Sequence, residues 1–149
     1  MARIIKFRGK SIADKEWVYG DLVQTSDRKR AIWPIGCDTG VVAVNPNSVG
    51  QYTGLRDING VEIYEGDIVR QHWEATIDYV DFAAERSGVQ TGIVCIRTKG
   101  VCLSPCLCEN DNDTSAVILR DRPLTGKRSE IIGNKFDSPD MFEEITNRQ

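Results

Sequence analysis

Apolar and polar residues alternate in short runs along most of this chain, a pattern typical of half-buried β-strands. At the start, residues 3–8 place Ile5 and Phe7 on one face and Lys6 and Arg8, continued by Lys10, on the other. Further runs rich in β-branched and aromatic residues also predict strands. These runs cover residues 16–23, 31–35, 41–44, 61–64, 68–70, 92–96, 116–119 and 130–134, and the runs at 92–96 and 116–119 are apolar enough to predict buried strands.

One interior segment has helical spacing instead. Residues 79–86 have helical spacing at Tyr79, Phe82, Ala83 and Arg86. Gly88 follows where such a helix would end. This spacing predicts a helix over residues 79–86. A strand through Ile77 and Tyr79, followed by an irregular turn, is the competing interpretation.

A second helix is predicted at the end of the chain from its local signals. Ser138 matches an N-cap residue, Pro139 a first-turn proline and Asp140 an acidic partner for the helix dipole. The helix should run from residue 139 to about 147 and bury Ile145 together with Met141 or Phe142.

Glycines punctuate the stretch VGQYTGLRDINGVEIYEGDIV at residues 49–69, where three of them recur at six-residue intervals. Asn59-Gly60 predicts a type I′ hairpin turn, and Gly66-Asp67 predicts a tight corner. Gly20-Asp21 repeats the Gly-Asp-aliphatic-Val pattern and predicts the start of another strand. The predicted structural turn residues are Gly20, Asp21, Gly54, Asn59, Gly60, Gly66 and Asp67.

The composition fits one folded domain over residues 1–149, with 40% hydrophobic and 28% charged residues. No window approaches the roughly 18 apolar residues of a membrane span, and no secretory signal is recognisable, so we expect a cytoplasmic protein without a membrane partner. Its five cysteines are then expected to be reduced. The net charge of −3 argues against wholesale binding to polyanions but leaves a local basic face open.

Three segments resemble the YopX family of proteins encoded by phages and prophages. They are IKFRGKS with EWVYGDLV near the start, the glycine-spaced stretch, and IIGNKFDSP near the end. Residues 1–70 and 130–140 carry the resemblance, whereas residues 71–129 carry little of it. The resemblance implies a mainly β fold with small SH3-like barrel-type subdomains and one or two short helices, in a bacterial host. It implies no established activity and no catalytic or binding residues.

Cysteines are the first candidates for a metal site. Cys95, Cys102, Cys106 and Cys108, with His72 elsewhere, would supply soft ligands for zinc, but only one gap among them fits the usual ligand spacing. Ordinary thiols are the favoured interpretation. The acidic run at residues 109–113 lacks the glycine and glutamate of a calcium loop and predicts a solvated turn. We therefore predict neither a metal nor a cofactor.

Catalytic residues are equally hard to assign. His72 is the only histidine, no serine lies in a nucleophile elbow, and no glycine-rich phosphate loop is present. Glu62, Glu65 and Asp67 would serve acid–base chemistry only if the fold brought them together. The sequence therefore predicts a protein that is not an enzyme.

Binding is the remaining class of function. Cations from several segments, interleaved with Trp17, Tyr19, Trp33 and Tyr52, would form a surface for single-stranded nucleic acid. The favoured interpretation is that the aromatic residues form the core and the charges are solvated. Exposed strand edges also predict self-association, so a homo-oligomer is expected. The candidate nucleic-acid-binding residues are Lys6, Arg8, Lys10, Arg28, Lys29 and Arg30, with Arg120, Arg122, Lys127 and Arg128 as later additions.

The resulting hypothesis is a non-catalytic accessory protein of a phage or prophage that binds an unknown protein partner. A nucleic-acid-binding β-barrel module is the alternative, and a zinc-binding protein or hydrolase is the third candidate.

Overall fold

A computed structural model describes residues 4–38, 40–78, 80–110 and 113–147, and these form twelve strands, one α-helix and two short 3-10 helices. The strands are β1 (Phe7–Lys10), β2 (Trp17–Ser26), β3 (Lys29–Pro34), β4 (Val42–Val44), β5 (Gly50–Arg56), β6 (Glu62–Tyr64), β7 (Asp67–Asp78), β8 (Ala83–Arg97), β9 (Gly100–Asn110), β10 (Asp113–Leu119), β11 (Arg122–Pro123) and β12 (Ser129–Asn134). The 3-10 helices are Pro46–Ser48 and Gly126–Arg128, and the α-helix is α1 (Pro139–Asn147).

The strands form two antiparallel sheets. The first has the order β4-β3-β2-β1-β5-β6, and the second has the order β10-β9-β8-β7-β12 with β11 paired to β9. The prediction of a mainly β fold is confirmed. Within the described ranges neither sheet closes on itself, so the SH3-like barrel form is not confirmed.

The core lies on both faces of the second sheet because successive side chains of a strand point to opposite faces. Ile68 and Ile93 pack with Ile145 of α1 on one face. Val69 and Val94, one position further along their strands, pack on the other face with Ile63, Leu103, Cys106, Cys108 and Leu124. The first sheet therefore reaches this core through Ile63 of β6.

The helix predicted over residues 79–86 is wrong. Residues 83–86 begin β8, which pairs with β7 from Ala83 opposite Asp78 onwards. Tyr79 lies outside the described residues. The competing strand interpretation describes this region better, because pairing along eleven positions of β7 outweighs the short helical spacing.

The prediction of a helix at the end of the chain is confirmed by α1. Ile145 is buried there, and Met141 and Phe142 are partly buried beside it. The prediction of which side chains are buried at the start of the chain is wrong. Ile4 and Ile5 are exposed, and Arg8 is buried. The predicted buried strand at residues 116–119 lies in β10, an edge strand, and its Val117 and Leu119 are exposed.

Two of the predicted turn glycines have different roles from those expected. Gly60 has a φ of +81° and its N–H donates to Asp57 O, but Asn59 does not have a positive φ. The turn is therefore not type I′, because that type needs a positive φ at both Asn59 and Gly60. Gly20 lies inside β2, where a Cβ atom would collide with the carbonyl oxygen of Trp33.

The repeated Gly-Asp pattern thus has two outcomes. Gly66, with a φ of +94°, turns the chain between β6 and β7, and Asp67 is buried there. Asp21, by contrast, is exposed within β2. Gly54 also has a positive φ, but it lies within β5.

Candidate functional site

Three of the predicted binding cations lie on one side of β1 and meet three carboxylates. Lys6 Nζ lies 2.5 Å from Glu62 Oε2, Arg8 Nη2 lies 2.7 Å from Asp67 Oδ1, and Lys10 Nζ lies 2.6 Å from Asp137 Oδ1. We call these six residues the charged junction. It joins the first sheet to the start of β7 and to the turn after β12, so the three segments that resemble the YopX family meet here.

Arg8 is at the centre of the junction. Its guanidinium carbon lies 4.5 Å from the ring centre of Trp17 and 5.0 Å from that of Tyr64. A planar guanidinium stacks well on aromatic rings and pairs with carboxylates in a fixed geometry. Arg8 Nε is buried without a hydrogen-bond partner among the described residues, so Asp67 provides its main compensation.

Asp67 is almost fully buried and accepts hydrogen bonds from Arg8 Nη2 and from the backbone N–H of Tyr64 at 2.8 Å. Burial raises the pKa of Asp67, while Arg8 and the Tyr64 N–H offset part of that rise and Asp57 adds to it. The ion pair therefore holds a carboxylate that the site would otherwise drive toward its neutral form.

The pKa of Asp137 is shifted in the opposite direction. Burial alone would raise the pKa of Asp137, but hydrogen bonds from Lys10, Asn134 and Trp17 together hold it below its ordinary value. Trp17 Nε1 donates to Asp137 Oδ2 at 2.9 Å. The outer part of the junction is therefore built around a stabilised carboxylate.

A cleft of about 330 Å³ opens beside the junction, lined by Arg8, Tyr19, Val61, Glu62, Tyr64, Asp67, Ile131, Gly133 and Asn134. Tyr64 Oη donates to Glu62 Oε1 at 3.2 Å. Burial, followed by the Glu62 carboxylate, raises the pKa of Tyr64. Glu62 and Asp67 thus line the same cleft, but each already pairs with a cation, and the Arg8–Asp67 pair links the first sheet to β7 of the second.

The other predicted cations lie elsewhere. Arg28, Lys29 and Arg30 form the turn between β2 and β3 and the start of β3, and they line a groove of about 430 Å³. No described carboxylate forms an ion pair with any of the three. The groove shares no lining residue with the cleft beside the junction, so the six predicted residues belong to two separate places. Their binding to nucleic acid stays a prediction.

The four aromatic residues proposed as stacking surfaces are divided in the same way. Tyr52 is buried beside Tyr64, with ring centres 5.5 Å apart, and Trp17 packs on Arg8. Tyr19 and Trp33 remain partly exposed, and Trp33 Nε1 donates to the carbonyl oxygen of Cys37. The aromatic residues therefore serve packing more than they form one open platform.

Cys95 of β8 and Cys102, Cys106 and Cys108 of β9 lie in the second sheet and form no disulfide. Cys106 Sγ and Cys108 Sγ are 4.0 Å apart, and their mutual hydrogen bond, with help from Arg122, lowers the pKa of Cys108 to about 7 while that of Cys106 is raised. Burial, followed by Cys95, raises the pKa of Cys102 to about 11. Among the residues that the structure describes, no group of three or more His, Cys, Asp or Glu is placed to hold a metal.

His72, the proposed hub of any histidine chemistry, is exposed on β7 opposite Val89. No hydrogen bond from a described serine or cysteine to His72 is present. His72 does not line the cleft beside the junction.

Sequence reasoning missed the most exposed feature of the fold. β12 pairs with β7 only as far as Gln71, and β9 pairs with β8 only as far as Gly88. Beyond these two residues, the described parts of β7 and β8 pair only with each other. We call residues 74–78 and 83–87, with the tip residues 80–82, the arm. Val80 is fully exposed at the tip and Phe82 is 63% exposed. The strand interpretation at Ile77 and Tyr79 was the signal that pointed to it.

The fold and the junction define a protein of two antiparallel sheets tied together by a buried arginine–aspartate pair, with a protruding two-stranded arm. A model of the family described as YopX protein matches residues 6–143, so the chain belongs to the YopX family. The chain is also similar to the crystal structure of protein EF1440 from Enterococcus faecalis, at 20% identity over 95% of this chain and 100% of that one, with a TM-score of 0.42. A search of curated proteins found no match.

The described part of the chain contains no helix with the length and apolar character needed to cross a bilayer.

Proposed function

We propose that this protein acts without catalysis, as an accessory protein of a phage or prophage that binds another protein in the bacterial cytoplasm. The observation that carries this proposal is the arm, which exposes Val80 and Phe82 at the end of a two-stranded ribbon. Large apolar side chains held out on a narrow projection are costly in water and gain most from burial in a partner. Membership of the YopX family supports the phage or prophage setting.

The charged junction supports the same proposal by its chemistry. Its three cations and three carboxylates compensate one another within the chain. Groups that are already paired are poor candidates for binding a phosphate or moving a proton, because a ligand would have to replace a strong internal partner. The arm is therefore the better candidate for function, and the junction for stability.

The test is affinity capture from the bacterial host with nuclease treatment, comparing the wild-type chain with the double variant Val80→Ser/Phe82→Ser. We expect the variant to lose a specific protein partner at least about tenfold, as hot-spot residues do. The matched control is Val117→Ser/Leu119→Ser, which removes two exposed apolar side chains from β10. Binding is then measured with the purified partner.

Equal capture by the tip variant and the wild type would contradict the proposal. A reproducible turnover that disappears when His72 or a carboxylate of the junction is replaced would also contradict it.

Nucleic acid is the second candidate, favoured by one observation. Arg28, Lys29 and Arg30 form no ion pair with a described carboxylate and are clustered at one hairpin end. This candidate predicts retention of single strands that falls with salt and weakens in Arg28→Ala/Lys29→Ala. Absence of binding at low salt would remove it.

A further inference from the structure

The tip of the arm combines apolar and acidic groups. Val80 and Phe82 are flanked by Asp78 and Asp81, and all four are exposed. Neither aspartate forms an ion pair with a described residue. Nearer the base, Glu74 and Glu85 share a cleft with Arg86 and Arg128, so the uncompensated negative charge is concentrated at the end of the arm.

The groove at the edge of the first sheet has the complementary chemistry. Its floor and walls include Ile12, Ala31, Val41 and Val44, and Ile12 and Val41 are 58% and 47% exposed. Arg28, Lys29 and Arg30 line it as well, and no carboxylate lines it. It is therefore an apolar groove with a purely basic border, which we call the basic groove.

The two surfaces are complementary in charge, and both expose apolar side chains. From Glu74 to Asp78 the arm extends by roughly 14 Å at the usual rise of a strand, so its tip is carried clear of the second sheet. The basic groove, at about 430 Å³, has room for large side chains. No residue of the arm lines the groove in the same chain, so an arm that fills it comes from another molecule.

We propose that the tip of the arm of one copy docks into the basic groove of a second copy, which gives a head-to-tail assembly. Val80 and Phe82 enter the apolar groove, and Asp78 and Asp81 meet Arg28 and Lys29 at its border. This inference rests on the proposed function, since it gives the arm a protein partner, and it names that partner as the same chain.

When one arm fills one groove, one molecule of the pair keeps a free groove and the other keeps a free arm, and these two either close on each other as a two-fold dimer or bind further copies. Binding of further copies continues the assembly into a larger ring or an open chain unless one surface is blocked. Burial of the tip supplies the main driving force, and the exposed charges add specificity and sensitivity to salt.

The experiment is sedimentation velocity on the full-length chain from micromolar to submillimolar concentration, at low and high salt. We expect the wild type to associate with concentration. The tip variant Val80→Ser/Phe82→Ser and the groove variant Arg28→Glu/Lys29→Glu should each raise the apparent dissociation constant at least about tenfold.

Matched controls separate these effects from general changes in surface chemistry. Val117→Ser/Leu119→Ser removes exposed apolar side chains elsewhere, and Arg120→Glu/Lys127→Glu makes the same change in charge outside the basic groove. Both controls should associate as the wild type does. Circular dichroism melting checks that each variant is folded.

A mixture of the tip variant and the groove variant gives the most specific test of the arm–groove contact. The tip variant has an intact groove and the groove variant has an intact arm, so an equal mixture should form a one-to-one dimer that grows no further. Neither variant alone should do so. A symmetric contact between identical surfaces would not produce this complementation.

The other outcomes overturn the inference. A wild type that stays monomeric at submillimolar concentration, or an association that the tip variant or the groove variant does not change, contradicts it. If the basic groove retains single-stranded nucleic acid instead, the groove has a different occupant. If the tip variant loses a different captured protein while the wild type stays monomeric, this inference fails and the proposed function stands.

Discussion

The charged junction and the arm differ in the exposure of their charged groups and in the pairing of those groups. In the junction, each cation has a carboxylate within 2.7 Å, and the central pair, Arg8 and Asp67, is buried, with the Arg8 guanidinium close to the rings of Trp17 and Tyr64. In the arm, Asp78 and Asp81 have no ion pair with a described residue and Val80 is fully exposed.

This contrast separates two uses of polar residues. A buried charge that is paired contributes to one arrangement of the fold, because any rearrangement leaves it without compensation. An exposed charge beside exposed apolar groups contributes little to folding and remains available to a partner. Substitutions in the junction should therefore change stability, and substitutions in the arm should change association.

The largest expected effect is that of Arg8→Met. The change leaves Asp67 buried without its cation, so we expect the free energy of unfolding to fall by about 3–5 kcal/mol. Urea denaturation measures it. Lys6→Met, at the partly buried pair with Glu62, should cost less, about 1 kcal/mol, because both side chains keep some contact with water.

The double variant Arg8→Met/Asp67→Asn should recover much of the loss, because no buried charge is then left alone. If Arg8→Met costs no more than Lys6→Met, the distinction between the buried centre and the outer pairs of the junction does not hold.

A smaller effect should appear in the pH dependence of stability. Because the pKa of Asp67 is raised on folding, its contribution is full below its ordinary value of 3.8 and declines as the pH rises through the raised value. The pKa of Asp137 is lowered, so its contribution is full above 3.8 and declines as the pH falls through the lowered value.

Urea denaturation across the acid range, with Asp67→Asn and Asp137→Asn beside the wild type, measures both contributions. Each is the difference between wild type and variant. We expect the two differences to slope in opposite directions with pH. Equal slopes would contradict the opposite electrostatic balance within the junction.

The smallest expected change in stability belongs to the arm. Val80→Ser/Phe82→Ser should alter the free energy of unfolding by no more than about 0.5 kcal/mol, as surface substitutions usually do. Hydrogen exchange should also be faster for amides of residues 74–78 than for those of residues 68–71, which lie between β8 and β12. Equal protection in both parts of β7 would show that the arm is more firmly held than its pairing indicates.

The sequence by itself determined the elements that depend on local chemistry. Ser138, Pro139 and Asp140 lie next to one another, and together they fixed the start of α1. The alternation of apolar residues predicted parts of most strands and hence the mainly β class, because it needs no knowledge of the partner strand, but it did not indicate β5 or β9. The family resemblance was likewise carried by contiguous segments.

Only the tertiary structure decided which polar residues are buried and whether two similar sequence motifs have the same structural role. Arg8 pairs with Asp67, which lies 59 positions further along the chain. The two Gly-Asp motifs differ because one lies at a turn and the other lies inside a strand. The helix predicted at residues 79–86 gave way to β8 because pairing with β7 outweighs a weak local preference. Such outcomes depend on contacts between distant segments, and the spacing of residues along the chain does not predict these contacts.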